Sequence, residues 1–166
     1  IGTASQKATN TTRIRYGKLK IGNAYGSELH DLAIPYEAQY WTGSYYATNS
    51  FDNCTSFAMS SIMFANFTNN LAACETQLSP TGTQTLSGGK LNLKLTKPGI
   101  DASNVPNRGS VQLTQNVGTT ASGSSCLAAT ASAATAANLP WFGSNPTGKA
   151  TFGIFRSPYI YFRESY

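Results

Sequence analysis

Ser27, Glu28, His30 and Asp31 bring a hydroxyl, two carboxylates and the chain's one histidine into a single short stretch, the residue types that hydrolysis uses. Members of a catalytic triad normally converge from distant positions, and neighbours along a strand or turn point in different directions. The stretch therefore reads as a polar turn in which His30 caps or pairs locally. Glycoside hydrolysis needs two carboxylates facing each other across a cleft, which would require members of the set Glu28, Glu37, Glu75 and Glu164 to meet in space. Asp31, Asp52 and Asp101 form no calcium-loop pattern, and Cys54, Cys74 and Cys126 have neither the paired spacing nor the flanking histidines of a zinc site. No catalytic residue, metal ligand or cofactor is assigned on this pattern, and the expectation is a protein that is not an enzyme.

The surface carries a different kind of signal. Trp41, Tyr40, Tyr45 and Tyr46 gather flat aromatic faces of the sort that pack on the C–H faces of sugars. Arg13, Arg15, Lys18 and Lys20, joined by Lys90 and Lys94, offer a basic strand face that would attract anionic polysaccharide. Its plainer role is a solvated face whose lysines discourage unwanted edge pairing. Nucleic acid is not an expected partner.

With 166 residues the chain is expected to form one domain that buries roughly two thirds of its unfolded surface. Twelve Lys+Arg against seven Asp+Glu give a net charge of +5, yet only 11% of residues are charged. The surface must then be built mostly from Thr, Ser, Asn, Gln and Tyr, a composition suited to crowded extracellular assemblies. No run approaches the roughly 20 apolar residues of a membrane-spanning helix, so membrane insertion is not expected. Because it opens on Ile1, the chain reads as an excised piece of something longer. A disulfide in an oxidising compartment accounts for the cysteines more simply than a metal does. Three pairings are open; Cys54 with Cys74 is favoured, since closing about 20 residues contributes roughly 3 kcal/mol in the chain-entropy model. Cys126 is then the odd cysteine, buried or intermolecular.

The elements that would position these residues are mostly strands. Residues Ile1–Thr12 have no apolar periodicity and read as a flexible arm or linker, with the domain proper at 13–166. From Arg13 to Ile21 the inward residues are Ile14 and Tyr16, then Leu19 and Ile21, a slip of phase that predicts a β-bulge at Gly17. Leu32–Trp41 alternates Ile34, Tyr36, Ala38 and Tyr40 on one face, with Pro35 arguing for an edge position or a strand start. Thr55–Phe67 suits a bent strand, Lys90–Lys97 is the cleanest alternation, and Val111 and Leu113 mark another strand. Thr151–Phe155 and Tyr159–Arg163 form a closing pair. Residues 127–138 are alanine-rich and read about equally as a short helix or a loop. The fold class is all-β: an antiparallel β-sandwich with long loops and at most one short helix.

Several segments are familiar as a set: Arg15-Tyr-Gly-Lys-Leu19, Asn23-Ala-Tyr-Gly-Ser-Glu-Leu29, Gln39-Tyr-Trp41, Asp52-Asn-Cys-Thr55, Asn145-Pro146, Ala150-Thr-Phe-Gly-Ile154 and Tyr161-Phe-Arg-Glu-Ser-Tyr166. Together they resemble the C-terminal domain of MshQ-like proteins, associated with MSHA-type (type IV) pilus biogenesis in Gram-negative bacteria. The resemblance implies a bacterial cell-surface setting and carries over no catalytic residue. The expected function is a non-enzymatic extracellular module of a surface appendage, pilus-associated or filament-forming, whose partners are copies of itself or pilus components. It would associate through strand edges or the N-terminal arm, with Ile1, Thr12, Tyr159, Tyr161 and Arg163 on the assembly strands. A carbohydrate-binding adhesin is the alternative and a glycoside hydrolase a remote one.

Overall fold

Period-two alternation becomes strand wherever one face is needed for the core. A computed structural model describes residues 16–153, among which thirteen strands occur. They are β1 (Gly17–Ile21), β2 (Ala24–Gly26), β3 (Leu32–Trp41), β4 (Tyr46–Thr48), β5 (Ser56–Ala58), β6 (Ile62–Ala65) and β7 (Leu78–Ser79). After these come β8 (Thr83–Thr85), β9 (Lys90–Leu95), β10 (Gly109–Gln115), β11 (Ser124–Ser125), β12 (Ser132–Ala133) and β13 (Thr147–Phe152). The first sheet runs β1-β3-β9-β7, with β4 also on β3; the second runs β2-β13-β10-β6. Two short pairs, β11-β12 and β5-β8, stand apart. All pairings are antiparallel except β2 with β13, so the expected all-β sandwich is present with one parallel ladder inside it.

The core fills from both sheets. Leu19, Ile21, Ile34, Tyr36, Leu93 and Leu95 come from the first, and Ile62, Phe64, Val111, Leu113, Ala150 and Phe152 from the second. Each such side chain contributes about 2 kcal/mol when fully buried. Between β1 and β2 the chain passes from one sheet to the other. Glycine is required opposite that corner, since a Cβ at Gly148 would lie 2.6 Å from Ile21 Cγ2 and 2.9 Å from the Gly22 carbonyl. A polar chain crosses the core. The Tyr36 hydroxyl donates to Gln115 Oε1 at 3.3 Å, Gln115 Nε2 donates to Ser61 Oγ at 2.7 Å, and the Ser61 hydroxyl donates to the Ala58 carbonyl at 2.6 Å. Burial pushes the Tyr36 phenol well above its ordinary value, which keeps it a proton donor.

Four expectations change. Gly17 pairs with Tyr40 in a register that continues unbroken to Ile21 and Tyr36. No bulge resets the phase there, and Tyr16 lies on the exposed side with Lys18 and Lys20 rather than inward. Pro35 sits within β3, which has β1 on one side and β9 on the other, not on an edge. It is tolerated because its nitrogen faces the side where β1 has just ended, and its carbonyl still accepts from Gly22 N at 2.7 Å. Residues 127–138 form no helix. Their amides donate elsewhere, Thr135 to Ser60, Ala137 to Asn116 and Asn138 to Gly118, so long-range ladders override alanine propensity. The helical turns among the described residues are the 3-10 turns Met59–Ser61 and Pro140–Phe142, the first of which makes the bend expected within Thr55–Phe67.

The fourth correction concerns the cysteines. The disulfide joins Cys74 to Cys126, both buried and 52 residues apart in sequence, and Cys54 is an exposed free thiol. Leu78 N donates to the Cys126 carbonyl at 2.9 Å, so β7 holds the loop bearing Cys126 against the loop bearing Cys74. Cys54 instead stays in a turn organised by Asp52, whose Oδ1 accepts from Thr55 N at 2.9 Å and whose Oδ2 accepts from the Thr55 hydroxyl at 2.7 Å. Loop entropy measures what a closed bridge contributes, not which cysteines meet. In that model the observed bridge contributes about 4 kcal/mol. Urea unfolding is expected to show a loss of that order for Cys126→Ser or on reduction, and little change for Cys54→Ser under non-reducing conditions.

Candidate functional site

The alternation that buries Tyr36 and Ala38 turns Glu37, Gln39 and Trp41 to the outer face of the first sheet. The β1 and β4 registers bring Lys18, Lys20, Tyr46 and Thr48 to the same face. Trp41 and Tyr46 pack with ring centroids 5.0 Å apart and planes at 60°, and Tyr16 lies 6.4 Å from Tyr46. Lys18 Nζ sits 3.7 Å above the Tyr46 ring, a cation–π contact that fixes the lysine over the cluster. Trp41 is 43% exposed and Tyr16 63%. Tyr45 is in the adjoining turn, where its carbonyl accepts from Thr42 N at 2.9 Å. Tyr40 alternates to the other side, but with Tyr16, Gln39, Asp52, Trp141 and Phe142 it lines a cleft of about 420 Å³ that borders the platform.

The four aromatic residues singled out by sequence are thus divided. Trp41 and Tyr46 share a platform, Tyr45 borders it, and Tyr40 opens onto the cleft that Tyr16 also lines. Tyr16 joins the platform because no bulge turns it inward. Trp141, 65% exposed, stands a hundred residues from Trp41 and was not anticipated. The sequence signal for it was an apolar triplet, Leu139-Pro-Trp141, set between turn residues.

Cross-strand pairing sets Lys20, Glu37 and Lys90 in a row, so an acid sits amid the basic face expected from Lys18, Lys20, Lys90 and Lys94. Glu37 accepts from the Thr48 hydroxyl at 2.5 Å and from Gln39 Nε2 at 2.6 Å, and Lys20 Nζ is 3.6 Å away. The Thr48 hydrogen bond foremost, then that of Gln39 and the charge of Lys20, hold the Glu37 carboxyl below the usual carboxylate range, partial burial opposing them. Arg13 and Arg15 lie outside the described residues, as do Ile1, Thr12, Tyr159, Tyr161 and Arg163.

Ser27, Glu28, His30 and Asp31 diverge. Glu28 is 3% exposed and its Oε1 meets Arg108 Nε at 2.8 Å. Asp31 Oδ1 accepts from Lys97 N at 3.0 Å, Ser27 Oγ accepts from Leu29 N at 3.2 Å, and His30 is exposed. Glu75 accepts from Asn107 Nδ2 at 2.7 Å. Among the described residues no three His, Cys, Asp or Glu side chains are grouped to hold a metal ion.

The edge of β1 completes the surface. The Tyr16 carbonyl accepts from Trp41 N and the Pro35 carbonyl from Gly22 N, which fixes the hydrogen-bonding phase of the ladder. In that phase the peptide groups of Gly17, Leu19 and Ile21 point away from β3. Those of Leu19 and Ile21 open onto a groove of about 220 Å³ bounded by Lys18, Lys20, Ser144, Pro146 and Thr147, whereas Gly17 lies against Phe142. No strand among the described residues pairs with this edge.

The lowered Glu37 carboxyl stabilises the fold above the ordinary carboxylate range, and that contribution is lost as pH falls through its folded-state value. Glu37→Gln is expected to cost about 1 kcal/mol at pH 7, partial exposure of Glu37 and its half-exposed partner Lys20 tempering the charged interactions. The gap between variant and parent in urea midpoints should close toward pH 3; a gap independent of pH would contradict the assignment.

Neither a curated protein nor a solved structure matches the chain. The family described as DUF6701, fourth domain, matches residues 15–165, and a match of that extent means that the chain belongs to this family.

Proposed function

We propose that the chain is a non-enzymatic structural module of a bacterial surface appendage, and that it assembles with copies of itself or with pilus components by accepting a strand along β1. The open edge carries this reading: Leu19 and Ile21 of β1 turn their peptide groups into a groove that no described strand fills. Lys18 and Lys20 flank that edge. A strand bearing lysine beside them would be repelled, while an acidic or neutral one would be admitted, each cross-strand pair being worth roughly 0.2–1 kcal/mol.

Other observations support the setting. The buried Cys74–Cys126 disulfide suits an oxidising, extracellular compartment, and no helix among the described residues is long and apolar enough to cross a membrane. The family description of a fourth domain favours a module within a longer protein, and the resemblance to the C-terminal domain of MshQ-like proteins favours the pilus context.

Hydrogen exchange tests the edge. As the protein concentrates into assemblies, the Leu19 and Ile21 amides should gain protection, and Ser144→Trp, which fills the groove, should abolish association while the melting temperature stays put. Association that survives Ser144→Trp with those amides still exchanging would sink the reading. The exposed platform of Trp41, Tyr16 and Tyr46 favours carbohydrate binding as a second reading. There, Trp41→Ala should weaken a glycan found by array screening about tenfold, equivalent to about 1.4 kcal/mol; unchanged retention removes the platform from consideration.

A further inference from the structure

The second sheet has its own outward face, to which neither the assembly edge nor the aromatic platform contributes. Register sets Ser110 beside Thr151 and Gln112 beside Lys149, with Tyr25 on the far side of Thr151. Two hollows of about 420 and 330 Å³ lie over this face and share Thr68 and Lys149 as lining residues, so they form one trough along β10 and β13. Among the described residues no Asp or Glu lines either hollow. The walls are hydroxyls and carboxamides, the groups that exchange hydrogen bonds with sugar hydroxyls, and Tyr25, 62% exposed, adds an aromatic wall.

The cations of the trough are held in different ways. Lys149 takes part in no ion pair among the described residues, and its backbone is fixed by the hydrogen bond from its amide to Asn23 Oδ1 at 2.9 Å. Arg108 is tied from beneath: its Nε meets the buried Glu28 at 2.8 Å, while the side chain remains 52% exposed. The carboxylate therefore orients the guanidinium and occupies its inner edge, leaving the two terminal nitrogens as a fork matched to a carboxylate. Arg108 directly precedes β10, four residues before Gln112, the neighbour of Lys149, which separates the cation-bearing positions by about 13 Å of extended chain. That span suits several sugar rings in line better than one.

We infer that this trough binds an acidic oligosaccharide, a run of uronic-acid residues, with one carboxylate on the Arg108 fork, another near Lys149, and ring hydroxyls on Thr151 and Gln112. The site is separate from the β1 edge, so it stands or falls independently of assembly. Tri-galacturonic acid is the probe, with its methyl ester as a control of the same shape without charge. In an amide-shift titration of the full chain, the acid should perturb Ser110, Gln112, Lys149 and Thr151. Lys149→Gln should weaken binding at least fivefold without moving the melting temperature, raised salt should weaken it further, and Trp41→Ala should leave it unchanged. Absence of trough shifts at millimolar acid overturns the inference. So does equal binding of the methyl ester, which would make the trough a neutral-sugar site, or an unaltered affinity in Lys149→Gln.

Discussion

The hydrogen-bonded chain from Tyr36 through Gln115 and Ser61 to the Ala58 carbonyl is the constraint on which the sandwich depends. Apolar side chains fill space between two sheets but tolerate sliding; a buried phenol, carboxamide and hydroxyl do not. Each group left without its partner costs about 1–3 kcal/mol, so the sheets are favoured in the relation that satisfies them together. Tyr36 belongs to β3 and Gln115 ends β10, the two strands from which the outer faces are organised. Fixing one pair fixes which residues of both sheets look outward.

The two outer faces are chemically unlike, and the difference follows from what each strand alternates with its core residues. On β3 the outward set is Glu37, Gln39 and Trp41, flanked by lysines and tyrosines, giving a mixed aromatic and charge-paired surface. On β10 and β13 it is Ser110, Gln112, Lys149 and Thr151, a surface of hydroxyl, amide and a positive charge that pairs with no acid among the described residues. A chain with so few charges cannot rely on a strong overall field to choose partners. Selectivity must instead come from a few placed groups, of which the Glu28-held Arg108 is the most constrained.

Much of this was readable in advance where local pattern and tertiary demand agree. Leu93 and Leu95 in β9, and Ile34, Tyr36 and Ala38 in β3, went inward as alternation requires. What stayed hidden depended on distant partners. Nothing near Cys74 announces Cys126, whose approach is set by a loop packed on β7. The alanine-rich segment 127–138 satisfies helix propensity on paper, yet its Thr135, Ala137 and Asn138 amides are claimed by residues 60, 116 and 118. Pro35 looked like an edge marker because a missing N–H is costly inside a sheet; the cost vanishes where the neighbouring strand has just ended. Of the site, Trp41 with Tyr46 was visible as a sequence cluster. Tyr16, Trp141 and Arg108 were not, because an assumed bulge or long sequence separation concealed their neighbours.

The parallel pairing of β2 with β13 bears on how the chain reaches its native state. Asn23 bonds to Lys149 across 126 residues, so the second sheet cannot be completed until almost all of the described chain is present. Contacts of such separation pay their loop-closure entropy before they return any stability, which slows folding and disfavours a finished N-terminal portion. A polypeptide emerging from a ribosome would therefore stay open until its last strands arrive, and its finished fold is a property of the whole described chain rather than of any leading portion.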